Sequence, residues 1–195
     1  MGGAKPVGGE LPRGQAAASR RAGVQAMADS DAWLQALPHF HCFACDPGHL
    51  NGLRLGFDEA GPDRLRTRFT ITGEYVGPGR FVHGGIIATV FDDLMAWCLL
   101  RFRQRFHVTV AMEQRFRRPV FADTPLIAEA VIVEDMPNGR VRMATTLVAA
   151  ADPGTVLAEG SAVFSVTPPA LVDLIPEEQH SEMTALFDTF SGSNP

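Results

Sequence analysis

Residues 80–97 read RFVHGGIIATVFDDLMAW, and this stretch decides the fold. A glycine pair, Gly84-Gly85, opens an apolar run, and the pattern predicts a long central helix over 84–102. The run is apolar nearly all round, which requires burial on most sides. Two acids, Asp92 and Asp93, stand in its middle. A buried carboxylate is costly unless something neutralises it or uses it. Neighbouring helical residues point about 100° apart, so the two acids cannot play one role.

Outward from this helix the chain reads as strands. Upstream, LRLGF (53–57) reads as a strand, and DRLRTRFTIT (63–72) alternates Leu65, Thr67, Phe69 and Ile71 against charged partners. Between them and the helix lies a glycine-rich loop, GEYVGPGR (73–80). Downstream come HVTVAMEQRF (107–116), PLIAEAVIVE (125–134), RVRMATTLVAA (140–150) and TVLAEGSAVFSV (155–166). Asn138-Gly139 predicts a hairpin turn and Asp152-Pro153-Gly154 a second turn. TPPALVDLIP (167–176) ends the sheet. At the other end, DSDAWLQALP (29–38) suggests a short helix stopped by Pro38. The order is that of an α+β domain, with a curved antiparallel sheet wrapped around one long central helix. A single helix with apolar residues on all sides needs a sheet that bends about it.

The tail carries Met183, Leu186, Phe187 and Phe190 at helical spacing, an amphipathic helix expected to pack on its own domain or a partner. Three segments are expected: a disordered leader over 1–28, the folded domain over 29–170, and a linker with the amphipathic helix over 171–195. The leader is rich in Gly, Ala and Arg and has no apolar core of signal-peptide length. Glu10 and the lack of an amphipathic stripe argue against a transit peptide; a leader ahead of a start at Met27 fits as well.

A net charge of −5 argues against a nucleic-acid partner, whose binding rests on phosphate neutralisation. The stretch 84–100 is long enough to span a membrane, but Asp92 and Asp93 at its centre argue against that. The expected location is cytoplasmic. Cys42, Cys45 and Cys98 do not make a secreted disulfide framework.

The helix start suggests chemistry. The first turn leaves backbone N–H groups unpaired at the positive end of the dipole. Gly84 and Gly85 let a substrate approach that backbone and polarise a carbonyl. Asp92 lies eight residues on, a rise of about 12 Å, too far to act on a carbonyl held by the same helix. If both serve one reaction, they come from two copies, which implies a two-fold dimer with two composite sites.

His83-Gly84-Gly85 followed by Asp92 resembles hotdog-fold acyl-CoA thioesterases of the PaaI-like group. HCFACDPGHLNGLRLGF (41–57) resembles the Cys-Phe-x-Cys opening of a bacterial branch, and VTVAMEQRFRRPV (108–120) the strand after the helix. The likeness covers roughly residues 40–168. It implies that the Gly84 amide polarises a thioester carbonyl, with Gly85 beside it. It implies that Asp92 acts as base on water or as nucleophile, that Thr109 helps place the water, and that His83 holds the loop. Relatives often carry Asn where this chain has Gly77, which leaves room for a changed substrate or lower activity. Arg80, Arg115, Arg117 and Arg118 suit the phosphates of coenzyme A. Gly77 and Asp93 are grouped with them as substrate-lining residues. The resemblance implies no cofactor and no metal, and a homodimer or dimer of dimers taking an acyl-CoA.

Cys42-x-x-Cys45, with His39, His41 and His49 nearby, has ligand types and spacing that suit zinc, but no second pair follows, and a buried, reduced pair is the plainer reading. Cys98 sits among apolar residues that leave a thiol inert. There is no Gly-x-Ser-x-Gly and no phosphate loop. The rivals to hydrolysis are an acyl-CoA binding or sensing protein on the same fold, a hydratase whose acid–histidine motif is missing, and a zinc-bearing interaction module.

Overall fold

The computed structural model of the chain describes residues 33–192. The expected leader over 1–28 lies outside the described residues. Six strands form one antiparallel sheet: β1 (Asp58–Gly61), β2 (Arg64–Thr70), β3 (His107–Phe116), β4 (Pro125–Met136), β5 (Arg140–Ala149) and β6 (Asp152–Val166). Their spatial order is β1-β2-β4-β5-β6-β3, which leaves β3 as an edge strand paired only to β6. The long helix α1 spans Gly84–Arg103.

The reason for α1 is legible at both ends. His83 is its cap, with an extended backbone and a side chain that accepts the Gly85 N–H. At the far end Gln104 turns left-handed (φ 51°) and donates its N–H to Leu100. Arg101 and Arg103 sit in the last turn, favourable to the dipole.

The sheet closes around the helix. Phe91, Leu94, Met95, Trp97, Cys98 and Leu99 are buried. Strand β2 buries alternate residues Leu65, Thr67 and Phe69, and β4 does the same with Leu126, Ala128 and Ala130. Bulges interrupt the register in β3, in β4 between Ile132 and Glu134, and between β5 and β6. Each bends its strand, which is how a sheet curves about one helix.

Helix and sheet approach closely at Gly160 in β6. A Cβ there would lie 3.0 Å from the Phe91 ring, 3.1 Å from the Thr145 methyl and 3.4 Å from the Glu113 carbonyl oxygen. Gly160→Ala should therefore cost about 1–3 kcal/mol by overpacking, read as a lower urea midpoint with an unchanged slope.

Two local expectations fail. LRLGF (53–57) is not a strand. Arg54 has φ 52°, which breaks the extended run, and the amides of Leu53 and Leu55 bond to Phe43 and Ala44 instead of to a sheet neighbour. Leu53, Leu55 and Phe57 are still buried, so the alternation reports burial without pairing. The second turn lies at Ala150-Ala151, and Asp152-Pro153-Gly154 already belongs to β6, where the register shifts. At the first turn Asn138 (φ 61°) and Gly139 (φ 69°) both adopt the left-handed conformation that a tight hairpin requires.

After β6 a short helix α2 (Pro169–Val172) leads to α3 (Glu177–Gly192). Met183, Leu186 and Phe190 of α3 are buried against the domain. Phe190 meets Trp33 edge-on at 5.1 Å and lies under the Arg101 guanidinium at 4.9 Å. The tail helix thus covers the C-terminal end of α1.

Candidate active site

The start of α1 presents one free amide. The Gly85 N–H donates to Nδ1 of His83 at 3.0 Å, so that ring carries its proton on Nε2. Ile86 and Ile87 donate to the His83 carbonyl. Gly84 alone in this turn has an N–H without an acceptor among the described residues. The expected pair of free amides thus reduces to one. His83 holds the turn, its own N–H bonded to the Tyr75 carbonyl at 3.0 Å. Upstream, the Gly77 N–H reaches the Phe81 carbonyl at 2.8 Å and closes the glycine-rich loop.

Asp92 lies further along the same helix, half-exposed, and accepts a hydrogen bond from the Thr109 hydroxyl at 2.7 Å. The ring of Phe116 covers Gly84, where a Cβ would stand 3.1 Å from Cζ. Thr109 and Phe116 are seven positions apart on β3 and would face opposite ways on a regular strand. The register shift between Thr109 and Ala111 turns both toward α1. Strand β3 therefore meets α1 at both Gly84, through Phe116, and Asp92, through Thr109. Along this side α1 is not covered: Gly85 is exposed, and Ala88, Thr89, Asp92 and Ala96 are half-exposed. The expectation of burial on nearly all sides fails along this stripe of small and polar residues. Gln114 lies on the same face of β3 as Phe116, and its buried Oε1 has no partner among the described residues. Its position could not be found from sequence, because the bulge that aims it leaves no mark in composition.

Asp93 points elsewhere. Its Oδ1 accepts from Cys42 Sγ at 3.5 Å and Cys45 Sγ at 3.7 Å, and its buried Oδ2 has no partner among the described residues. Burial, then the neighbouring Cys42, pushes its carboxyl well above the usual carboxylate range. It faces the cysteine loop, whereas Asp92 meets Thr109 on β3. Cys42 is lowered to about 6, chiefly by its contact with the Cys45 thiol, while burial opposes and the amides of Cys45 and Ala44 assist. Cys45 is pushed up by burial, and Cys98 is pushed up to about 12 by the same cause.

The arginines do not converge as free cations. Arg80 bonds the Ala122 carbonyl and Asp123, Arg115 pairs with Glu113 at 2.9 Å, and Arg117 pairs with Glu159. Arg118 has no side-chain partner among the described residues. These pairs are exposed and weak, so their guanidinium groups remain exchangeable.

Residues 79–134, from the glycine-rich loop through most of β4, match the model of the Thioesterase superfamily. No curated protein matches the chain by sequence. Among solved structures, zebrafish thioesterase superfamily member 2 superposes with a TM-score of 0.58 at 14% identity, over 71% of this chain and 95% of that one. A hypothetical thioesterase of Streptococcus pneumoniae, solved with coenzyme A, gives 0.53 at 12% identity, over 58% and 85%. The PaaI protein of Escherichia coli, from the phenylacetic acid degradation operon, gives 0.52 at 17% identity, over 58% and 80%. The fold is the hotdog fold, as expected from the sequence.

Proposed function

We propose that the chain hydrolyses an acyl-CoA, or a related pantetheine thioester, to the free acid and coenzyme A. The observation that carries this reading is the single free amide of Gly84 at the start of α1 together with the threonine-bonded Asp92 further along the same helix. The superfamily match spans both residues.

In this reading the thioester carbonyl rests on the Gly84 N–H of one protomer. Asp92 of a second protomer takes a proton from water as the water attacks the carbonyl carbon. Negative charge collects on the carbonyl oxygen, where the amide and the helix dipole stabilise it. Collapse of the tetrahedral intermediate expels the coenzyme A thiolate. Thr109 holds the Asp92 carboxylate in place.

A second copy is needed because about 12 Å of helix separates Gly84 from Asp92. Strand β3 supports its presence: it is an unpaired edge of ten residues on which Val108, Val110, Met112 and Phe116 are exposed. An open apolar edge is a surface that native proteins cover. Pairing two such edges puts the uncovered sides of two helices next to each other. The assembly is a homodimer, or a dimer of dimers.

Arg118, with Arg80, Arg115 and Arg117, would meet the nucleotide phosphates after exchanging its neighbours' carboxylates for them. The Cys42-Phe43-Ala44-Cys45 opening supports the reading of the chain as one of the bacterial PaaI-like branch with that opening. Among the described residues no helix is long and apolar enough to cross a membrane. The reading is of a cytoplasmic enzyme with neither nucleic acid nor membrane as partner. Gly77, standing where relatives often have Asn, favours a second reading, an acyl-CoA binding or sensing protein without turnover.

A panel of acyl-CoA thioesters assayed for released thiol separates the two. Turnover on at least one member supports hydrolysis; saturable binding without thiol release supports the second reading. With an active substrate in hand, Thr109→Val should lower kcat roughly tenfold, the worth of one hydrogen bond to a charged group. KM should stay unchanged, and Thr109→Ser should restore the rate.

A further inference from the structure

We infer that Cys42, Cys45 and Asp93 form a binding site for one divalent cation of the zinc class, independent of the proposed hydrolysis. The three ligand atoms lie within 4.8 Å of one another. Asp93 Oδ1 is 3.5 Å from Cys42 Sγ and 3.7 Å from Cys45 Sγ. Sulfur at about 2.3 Å and oxygen at about 2.0 Å from a tetrahedral zinc stand about 3.5 Å apart, so both sulfur–oxygen spacings are those of ligands on a common ion.

The hydrogen bonds point the same way. The Cys45 amide donates to Cys42 Sγ at 3.3 Å, and the Trp97 indole N–H donates to Cys45 Sγ at 3.2 Å. An indole can only donate, so Cys45 Sγ is held as an acceptor. Donors aimed at both sulfurs fit thiolates and are the outer-shell contacts that metal ligands keep. Two thiolates facing a carboxylate repel one another unless a cation sits between them. Without a cation, weak thiol donors would have to serve Asp93 Oδ1 while the buried Oδ2 stays unsatisfied.

Two sulfurs and one carboxylate select a borderline-soft ion over magnesium or calcium. Among the described residues no histidine nitrogen joins the cluster; the nearest in sequence, on His41, leans toward Asp46. Cys42 is only half-buried, so the fourth ligand comes from solvent. The ion would tie the loop over 42–45 to α1 at Asp93, the residue next to Asp92. The site lies outside the residues that match the superfamily model apart from Asp93 itself.

The test uses the full chain, purified without chelator, with metal content measured by emission spectroscopy. The reduced, metal-free protein is then titrated with cobalt(II) and with zinc(II) against a chromophoric chelator. Expected are one ion per chain and a cobalt spectrum with thiolate charge-transfer absorption. Cys42→Ser should weaken that absorption, and Asp93→Asn should lower zinc affinity at least about tenfold. Three results would overturn the proposal: no stoichiometric binding to the reduced wild-type chain, a cobalt spectrum without thiolate absorption, or full affinity in the Cys42→Ser, Cys45→Ser double variant. Because the first two readouts use the wild-type chain, a variant that fails to fold does not spoil the test. None depends on turnover, so failure here leaves the proposed hydrolysis standing.

Discussion

Asp92→Asn is expected to lower kcat on an active thioester by about 10²–10⁴-fold, the usual worth of a positioned general base. Asparagine keeps the volume of aspartate and can still accept the Thr109 hydroxyl, now 2.7 Å from Oδ1. Because Asp92 is half-exposed and close to solvent, the change leaves no orphaned buried charge. The variant should therefore fold and assemble as the wild type does, with KM little changed. What it loses is the ability to take a proton from water. Turnover within a few-fold of wild type would remove Asp92 from the chemistry, whether as base or as nucleophile.

Gly84→Pro is expected to cost about 10²–10³-fold in kcat, the cost of deleting one oxyanion donor. The substitution is apt because the first helical position tolerates proline, whose missing N–H bonds nothing within the helix there. The preceding residue must be extended, and His83 already is, with φ −63° and ψ 132°. The one strain is steric, since a Cβ at Gly84 lies 3.1 Å from the tip of the Phe116 ring. That ring is about half exposed and free to swing aside. Gly84→Ala is the control: it adds the same Cβ and keeps the amide. Retained activity in the alanine variant with loss in the proline variant isolates the N–H. Equal loss in both would assign the effect to crowding.

The parts of this account legible in the sequence are those that periodicity encodes. The long helix over 84–102 and the alternation in 63–72 mark burial directly, and the Asn138-Gly139 pair marks its turn through the left-handed backbone it permits. The features that escaped depend on one residue's backbone or on a partner far away in sequence. Arg54 at φ 52° diverts 53–57 from the sheet with no change in the hydrophobic pattern. The bulge beside Val110 brings Thr109 and Phe116 to one face, and nothing in residues 107–116 announces it. The different surroundings of Asp92 and Asp93 follow from helix geometry, but that Asp93 would meet Cys42 and Cys45 needed contacts across about fifty positions. That His83 would take the Gly85 amide was hidden because a cap and a free donor look alike in sequence.

The composite site is tested most directly by mixing the two inactive variants. Asp92→Asn and Gly84→Pro chains are unfolded together, refolded at equal concentration and assayed. In a hybrid dimer one site pairs the intact amide of the first chain with the intact acid of the second, and the other site carries both lesions. Random pairing should restore about a quarter of wild-type activity, since half the dimers are hybrids with one working site of two. A mixture that forms hybrids yet stays as inactive as its two components would mean that each chain uses its own Gly84 and Asp92, and would contradict the account.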